Sequence, residues 1–218
     1  LGIVIPPSIV FVIYGNITGV NVAQLLASGI LPGIIVGVAL CIYAYFKAKK
    51  NNFPKQDRFS MRLFLLSFKD AIWALIMPII ILGGIYAGIF TPTESAAVAV
   101  FYGVLICMLI YREVSGRELY DILKTTAASV SNLMILVVTA QLFGYILTYY
   151  VTDLFMAVAS NKYVFLILIN ILLLVVGMFM EVGATNLILG PILAPIAAGF
   201  GIDPVHFGML FVYLLALG

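Results

Sequence analysis

The sequence is 218 residues long, 64% hydrophobic and only 9% charged, with a mean hydropathy of +1.22. Soluble domains carry about 25% charged residues, so the composition excludes an ordinary soluble protein. The net charge of +2 gives no basis for a nucleic-acid partner. Several apolar stretches approach the roughly 20 residues that cross the hydrocarbon core. The sequence therefore predicts an all-α polytopic membrane protein in contact with the lipid bilayer.

The apolar segments divide the chain into successive spans. An interrupted segment occupies 1–14. A surface helix is expected at 59–69, where Phe59, Leu63, Leu66 and the basic residues have spacings compatible with a helix lying along the interface. Full spans are predicted at 22–46, 71–90, 96–111 and 125–149, and a further span begins at Phe207.

Basic residues orient these spans. Seven of the eleven Lys and Arg residues lie between Lys47 and Lys69, and three more lie between Arg112 and Lys124. The positive-inside rule places both basic loops in the cytoplasm. The loops "GNITG", "TPTE" and "VTDLF" then fall on the outer side.

The stretch "GMFMEVGATNLILGPILAP" interrupts the apolar sequence with polar residues, glycines and prolines. Its second arm, 187–198, would be only about 18 Å long as a helix, too short to cross the membrane. Pro191 and Pro195 weaken that arm further. We therefore expect a re-entrant hairpin at 163–198 with its tip at 181–186. Free backbone groups at that depth occur only in protein or beside a cavity, so the tip predicts a site.

A second interruption lies in "LGIVIPPS". Pro6 and Pro7 prevent a continuous helix, and Ser8 is suitably placed as the N-cap of the half-helix that follows. The charge pattern sends this half-helix outward, whereas the segment from Phe207 runs inward. Interrupted elements of opposite direction are typical of inverted-repeat transporters, which bind substrate and ions at half-helix ends.

Three motifs, "LGIVIPPSIVFVIYG", "GGIYAGIFTPTESAAVAVFYG" and "GIDPVHFGM", resemble the large membrane subunit of TRAP (tripartite ATP-independent periplasmic) transporters. The resemblance implies an inverted-repeat, elevator-type permease that imports an organic acid (dicarboxylate, sialic acid or keto acid) with sodium across the bacterial inner membrane. It implies a small membrane (Q) subunit and a periplasmic substrate-binding protein as partners, and Na⁺ as coupling ion with no cofactor.

The resemblance covers the C-terminal half, or slightly more, of such a subunit. The first hairpin and the second Pro-Pro motif are expected outside this sequence. Residues 1–46 would end the first transport repeat, and 47–70 would form the basic loop and surface helix. Residues 71–150 would be scaffold, and 151–218 would hold the second repeat with the hairpin.

Two groups of oxygen atoms are candidate sodium ligands, because Na⁺ is bound by carbonyl, hydroxyl and amide oxygens. A tight turn at the hairpin tip and a simple kink at Pro6-Pro7 are the structural alternatives. Glu181 either orients the tip near the ion path or only braces the loop. The predicted sodium ligands are Gly2, Ile5, Pro6, Pro7, Ser8, Gly183, Thr185 and Asn186, and Ser8, Glu181 and Ala184 are expected near the substrate or gate.

Other chemistries find little support in the sequence. His206 is the single histidine, so no transition-metal site is expected, and no aspartate lies mid-span for an aspartyl protease. Thr91–Glu94 reads as a helix cap. The alternative functions are a passive channel and a scaffold subunit of a membrane complex.

Overall fold

A computed structural model describes residues 2–3, 5–51, 60–158 and 161–218, with backbone alone for 148–158. These residues form helices without strands, which confirms the predicted all-α class. The helices are α1 (Ile9–Thr18), α2 (Val22–Lys50), α3 (Met61–Tyr86), α4 (Pro92–Leu105, continued as a π-helix over Ile106–Ile110), α5 (Gly116–Val158), α6 (Lys162–Gly177), α7 (Val182–Gly199) and α8 (Pro204–Leu217).

Five helices in the described parts of the chain are long and apolar enough to cross a membrane. They are α2, α3, α4 with its π-helical end, the Gly116–Leu147 part of α5, and α7. The chain separates into two compact units. The first is Leu31–Leu119, and the second combines Gly2–Ile30 with Tyr120–Gly218. Most of α5 falls within the second unit, together with the hairpin.

In the first unit, α3 and α4 form an antiparallel pair. The buried Ser95 hydroxyl donates to the Ile81 carbonyl at 3.0 Å, and the Tyr102 hydroxyl donates to the Trp73 carbonyl at 2.8 Å. The predicted cap at "TPTE" is present: the Thr91 hydroxyl accepts from the Glu94 amide, and the Glu94 carboxylate accepts from the Thr91 amide. Hydrogen bonds from Ser95 and Tyr102 thus tie the two helices together.

The predicted surface helix is not a separate element. Helix α3 continues without interruption from Met61 to Tyr86, so Asp70 does not end a helix. The helix begins after Ser60, whose hydroxyl accepts from the Leu63 amide at 3.5 Å. A change from amphipathic to apolar sequence therefore does not break the backbone here. Phe59 lies outside the described residues.

The second unit contains four short helices in two directions. Val10 and Tyr14 of α1 lie beside Asn186 and Gly190 of α7, so these two helices are parallel. Helix α8 runs against α1, since Tyr14 contacts Gly208 while Phe11 faces Tyr213 near the other end. The buried aromatic rings of Phe165, Phe207 and Phe211 fill the centre, and α6 runs parallel to α8. These relative directions agree with the predicted hairpin and half-helix.

Candidate functional site

The first turns of α1 and α7 meet in the second unit. Ser8 caps α1: its hydroxyl accepts from the Phe11 amide at 3.5 Å and donates to the Ile3 carbonyl. Glu181 caps α7, with its two carboxylate oxygens accepting from the amides of Gly183 at 2.8 Å and Ala184 at 2.7 Å. Two helix N-termini of equal direction therefore lie side by side, each capped by a side chain.

Asn186 joins these two helices directly. Its side chain is fully buried, and Nδ2 donates to the Val10 carbonyl at 2.9 Å. A carbonyl can only accept, so the amide must present its NH₂ group to Val10, and the orientation of the amide is fixed. The other end of the same amide, Oδ1, is buried and has no hydrogen-bond partner among the described residues. Asn186 thus presents one neutral oxygen inside the protein.

Neighbouring side chains leave little space around Asn186 Oδ1. A Cβ atom at Gly190 would lie 3.4 Å from Asn186 Oδ1, 3.0 Å from Ile17 Cδ1 and 3.7 Å from Tyr14 Cδ2. Tyr14 is also fully buried, and its hydroxyl has no hydrogen-bond partner among the described residues. Buried polar groups normally have partners. Two buried oxygens without hydrogen-bond partners among the described residues, on facing helices, make this region the candidate binding site.

The predicted hairpin tip requires a correction. The turn between α6 and α7 occupies 178–181, whereas Gly183, Thr185 and Asn186 are already helical. Their carbonyls therefore belong to a helix rather than to an open turn, and α7 has 18 residues instead of the expected twelve. The reason is Glu181, whose carboxylate caps the helix five residues earlier than the sequence suggested.

The remaining predicted residues have distinct surroundings. The Thr185 hydroxyl is buried and donates to the Glu181 carbonyl at 2.9 Å, which leaves its oxygen lone pairs available. The carbonyls of Ile5, Pro6 and Pro7 accept no backbone hydrogen bond from other described residues. Gly2 is exposed and lies in a turn before this segment.

Glycine at position 183 has a local explanation. A Cβ atom there would lie 3.0 and 3.1 Å from the two carboxylate oxygens of Glu181. The absence of a side chain therefore leaves room for the cap. The bracing role considered for Glu181 is what its hydrogen bonds provide, since both oxygens are engaged by amides at the start of α7. Ala184 supplies one of those amides.

Sequence reasoning assigned the Pro-Pro segment and the hairpin to separate ion sites, each completed elsewhere. The structure instead brings the helix after Pro7 against the second arm of the hairpin. Val10, Tyr14 and Gly190 were not anticipated as neighbours of the site. The spacing of Val10, Tyr14 and Ile17 on one helical face was the available signal, but nothing in it identified α7 as the partner.

The donor set is suited to a small monovalent cation. Free carbonyls beside a half-helix, a buried hydroxyl and a buried amide oxygen are neutral oxygens of the kind that coordinate Na⁺ in transporters with broken helices. The described residues include no group of three His, Cys, Asp or Glu side chains that could hold a transition metal. The orphaned Asn186 Oδ1 is the observation on which this fit rests.

Apolar spans, a helical hairpin and two helix N-termini lying side by side are typical of polytopic membrane transport proteins. The family profile of the DctM component of tripartite ATP-independent periplasmic transporters matches residues 1–218. The chain belongs to this family and is a multi-pass protein of the bacterial inner membrane, and its relatives are named as transporter permeases rather than enzymes.

Three relatives illustrate the similarity. The chain is 40% identical to the isethionate TRAP transporter permease protein DctMQ of Oleidesulfovibrio alaskensis, with 100% of the chain and 35% of that protein covered. It is 39% identical to the C4-dicarboxylate TRAP transporter large permease protein DctM of Pseudomonas aeruginosa, covering 100% of the chain and 52% of the relative. It is 37% identical to the 2,3-diketo-L-gulonate TRAP transporter large permease protein YiaN of Escherichia coli, with 99% and 52% covered. The chain thus spans about half the length of the latter two.

Proposed function

We propose that this chain forms part of a permease that imports an organic acid together with sodium. The substrate would be delivered by a periplasmic binding protein, and a small membrane subunit would complete the complex. The family and the names of the three relatives, which carry a sulfonate, a dicarboxylate and a diketo acid, support an organic anion as substrate. The observation that carries sodium coupling is the buried, unpartnered Asn186 Oδ1 beside the start of α1.

Sodium would stabilise the contact between α1 and α7. An orphaned buried acceptor costs about 1–3 kcal/mol, and a cation bound at Oδ1 removes that cost. Nδ2 of the same amide donates to the Val10 carbonyl at 2.9 Å. A sodium ion bound at Oδ1 would therefore also hold α1 in place through this hydrogen bond. Thr185 and the carbonyls of the Pro-Pro segment would supply further oxygens.

The organic anion would be held near the same helix starts. No Arg or Lys lies in the described residues of α1, α7 or α8. The positive end of the α1 dipole, capped by the neutral Ser8, is then the available group for an anionic substrate, because the Glu181 carboxylate already occupies the Gly183 and Ala184 amides of α7. Ser8, Glu181 and Ala184 lie at those helix starts, with Ser8 and Glu181 as the caps.

The first experiment measures uptake by proteoliposomes containing the complete permease, with its partners, with and without an inward sodium gradient. Sodium-dependent accumulation supports the proposal. Conduction that is equal in the absence of sodium would instead favour the passive channel, and no flux of any candidate anion would favour a scaffold subunit.

The second experiment tests the proposed ligands by sodium-dependent thermal stabilisation. Asn186→Leu replaces both polar ends of a buried side chain by methyl groups in the same branched shape, so folding in sodium-free buffer should be nearly unchanged. The stabilisation that sodium gives the wild type, RT ln(1 + [Na⁺]/Kd), should be lost. If Asn186→Leu kept the full sodium response, Asn186 would not be a ligand.

A matched pair of threonines controls for simple loss of a hydroxyl. Thr185 and Thr125 each donate to the carbonyl four residues earlier, both at 2.9 Å, but only Thr185 lies beside Asn186. Thr185→Val should raise the sodium concentration needed for half-maximal uptake, whereas Thr125→Val should leave it unchanged. Equal effects of the two substitutions would argue against a specific role for Thr185.

A further inference from the structure

The second half of α2 exposes apolar side chains on all sides. Every residue from Val38 to Lys47 is exposed, including Leu40 at 48% and Ile42 at 52%, which lie on different faces of the helix. Helices that are apolar around their whole circumference are stable in hydrocarbon rather than in water. This part of α2 therefore has lipid as its natural surroundings.

The composition of α2 changes within two turns at its C-terminal end. Three aromatic residues, Tyr43, Tyr45 and Phe46, are 61%, 63% and 64% exposed. Three lysines then occupy the last turn, namely Lys47, Lys49 and Lys50. Aromatic rings followed by lysines are typical of the boundary between hydrocarbon and headgroups. The end of α2 thus lies at the level of lipid headgroups.

The lysines have no anionic partner among the residues that the structure describes. The first acidic residue in the chain is Asp57, and the lysine ammonium groups form no ion pair with the described residues. Lys47 Nζ lies 5.5 Å from the centre of the Tyr43 ring, which holds one ammonium group at the level of the aromatic belt. From Lys47 to Lys69 the sequence contains seven basic residues and only Asp57 as an acid.

We propose that the last two turns of α2, residues 43–50, form a binding site for the anionic headgroups of membrane phospholipids. The lysine ammonium groups contact the lipid phosphates, while Tyr43, Tyr45 and Phe46 lie against the glycerol region and the upper acyl chains. The charge complementarity selects anionic over zwitterionic lipids. Each lysine near an anionic lipid surface strengthens attraction by roughly fivefold.

The site is tested by photo-cross-linking in the complete permease. The protein is placed in phosphatidylcholine nanodiscs that contain about one-tenth phosphatidylglycerol carrying a photoreactive headgroup, and cross-linked peptides are mapped by mass spectrometry. Cross-links should concentrate in residues 43–50. Unlabelled phosphatidylglycerol should displace them at least fivefold more effectively than added phosphatidylcholine.

Three variants separate charge from folding. Replacing Lys47, Lys49 and Lys50 together by Gln should reduce labelling at this site at least fivefold, whereas replacing all three by Arg should retain it. Lys162→Gln, at the start of α6, which the charge pattern places on the other membrane face, should change nothing. If the Gln variant fails to fold, the wild type is measured at rising salt, because screening should weaken headgroup binding.

Several results would contradict the proposed headgroup-binding site. Equal displacement by phosphatidylcholine would mean that the helix end is covered by ordinary annular lipid. Unchanged labelling in the Gln variant, or labelling insensitive to salt, would mean that the lysines do not select the headgroup. An absence of cross-links in residues 43–50 would mean that protein, not lipid, covers this end of α2.

Discussion

Gly208 provides a sharp test of the packing between α1, α2 and α8. A Cβ atom at this position would lie 2.5 Å from Tyr14 Cε1 and 2.8 Å from Leu25 Cδ2. Both neighbours are fully buried, and the Tyr14 ring is held against Phe211 at a centroid distance of 5.3 Å. Neither side chain can move away without disturbing a third, so Gly208→Ala should overpack the second unit.

The magnitude follows from two opposing effects. Overpacking of a core costs about 1–3 kcal/mol, and two simultaneous clashes place this substitution near the upper end. Replacing glycine by alanine inside a helix returns up to about 1 kcal/mol. The net loss should therefore be about 1–2 kcal/mol, which lowers the melting temperature by several degrees.

The assay is thermal unfolding of the purified permease in detergent. Gly37→Ala is the matched control, because a Cβ at Gly37 of α2 has nothing within 4 Å. It should leave the melting temperature unchanged or raise it. Leu25→Ala combined with Gly208→Ala should cost less than the sum of the two single changes. Equal melting temperatures for Gly208→Ala and Gly37→Ala would refute the packing described for α8.

Three further predictions address the cap, the topology and the contact between α5 and α7. Thr91→Ala should lower the free energy of unfolding by about 1 kcal/mol, with Thr93→Ala as the control. Equal shifts in melting temperature for the two variants would rule out the capping box. A cysteine replacing Asn51 should be shielded from impermeant thiol reagents in intact cells, and ready labelling from outside would invert the topology. A Cβ at Gly144 of α5 would lie 3.3 Å from Pro191 Cβ of α7, so cysteines at both positions should form a disulfide on oxidation. This cross-link should stop uptake. Undiminished transport by the cross-linked protein would exclude an elevator motion of α7 past α5.

Local sequence signals predicted much of the helical framework. Ser8 and Thr91 each accept an amide hydrogen bond at the helix start where the sequence indicated a cap. Such signals work because a cap depends on residues within one turn. The apolar spans could equally be predicted from the sequence, since a segment that crosses the lipid bilayer needs a continuous run of apolar side chains.

Helix boundaries that depend on less common local choices were missed. Glu181 caps α7 although Ser, Thr, Asp and Asn are the usual N-caps, and the string Gly-Ala-Thr-Asn reads as a loop. Helix α5 extends over Gly116–Val158, well beyond the expected 125–149, because Ser115 and Glu118 cap its polar beginning. Composition marks where a span meets water but not where its helix ends.

Hydrogen bonds between helices far apart in the chain could not be predicted from the sequence. Asn186 and Val10 are separated by 176 positions, and the bond between them uses a backbone carbonyl that no side-chain pattern reveals. Tyr213 donates in the same way to the Gly29 carbonyl at 2.6 Å, across 184 positions. A single sequence shows which face of a helix is buried but not which helix covers it.

The polar stretch at the start of α7 can now be divided by function. Glu181 is occupied as a cap, Gly183 leaves space for that carboxylate, and the Thr185 hydroxyl proton is bound by the Glu181 carbonyl. Helix formation thus accounts for each of these groups without any ligand. Asn186 is different, because the acceptor at Val10 uses only its NH₂ end and leaves Oδ1 buried without a partner. An apolar side chain would avoid that cost, so the sodium hypothesis for this stretch depends mainly on one amide oxygen.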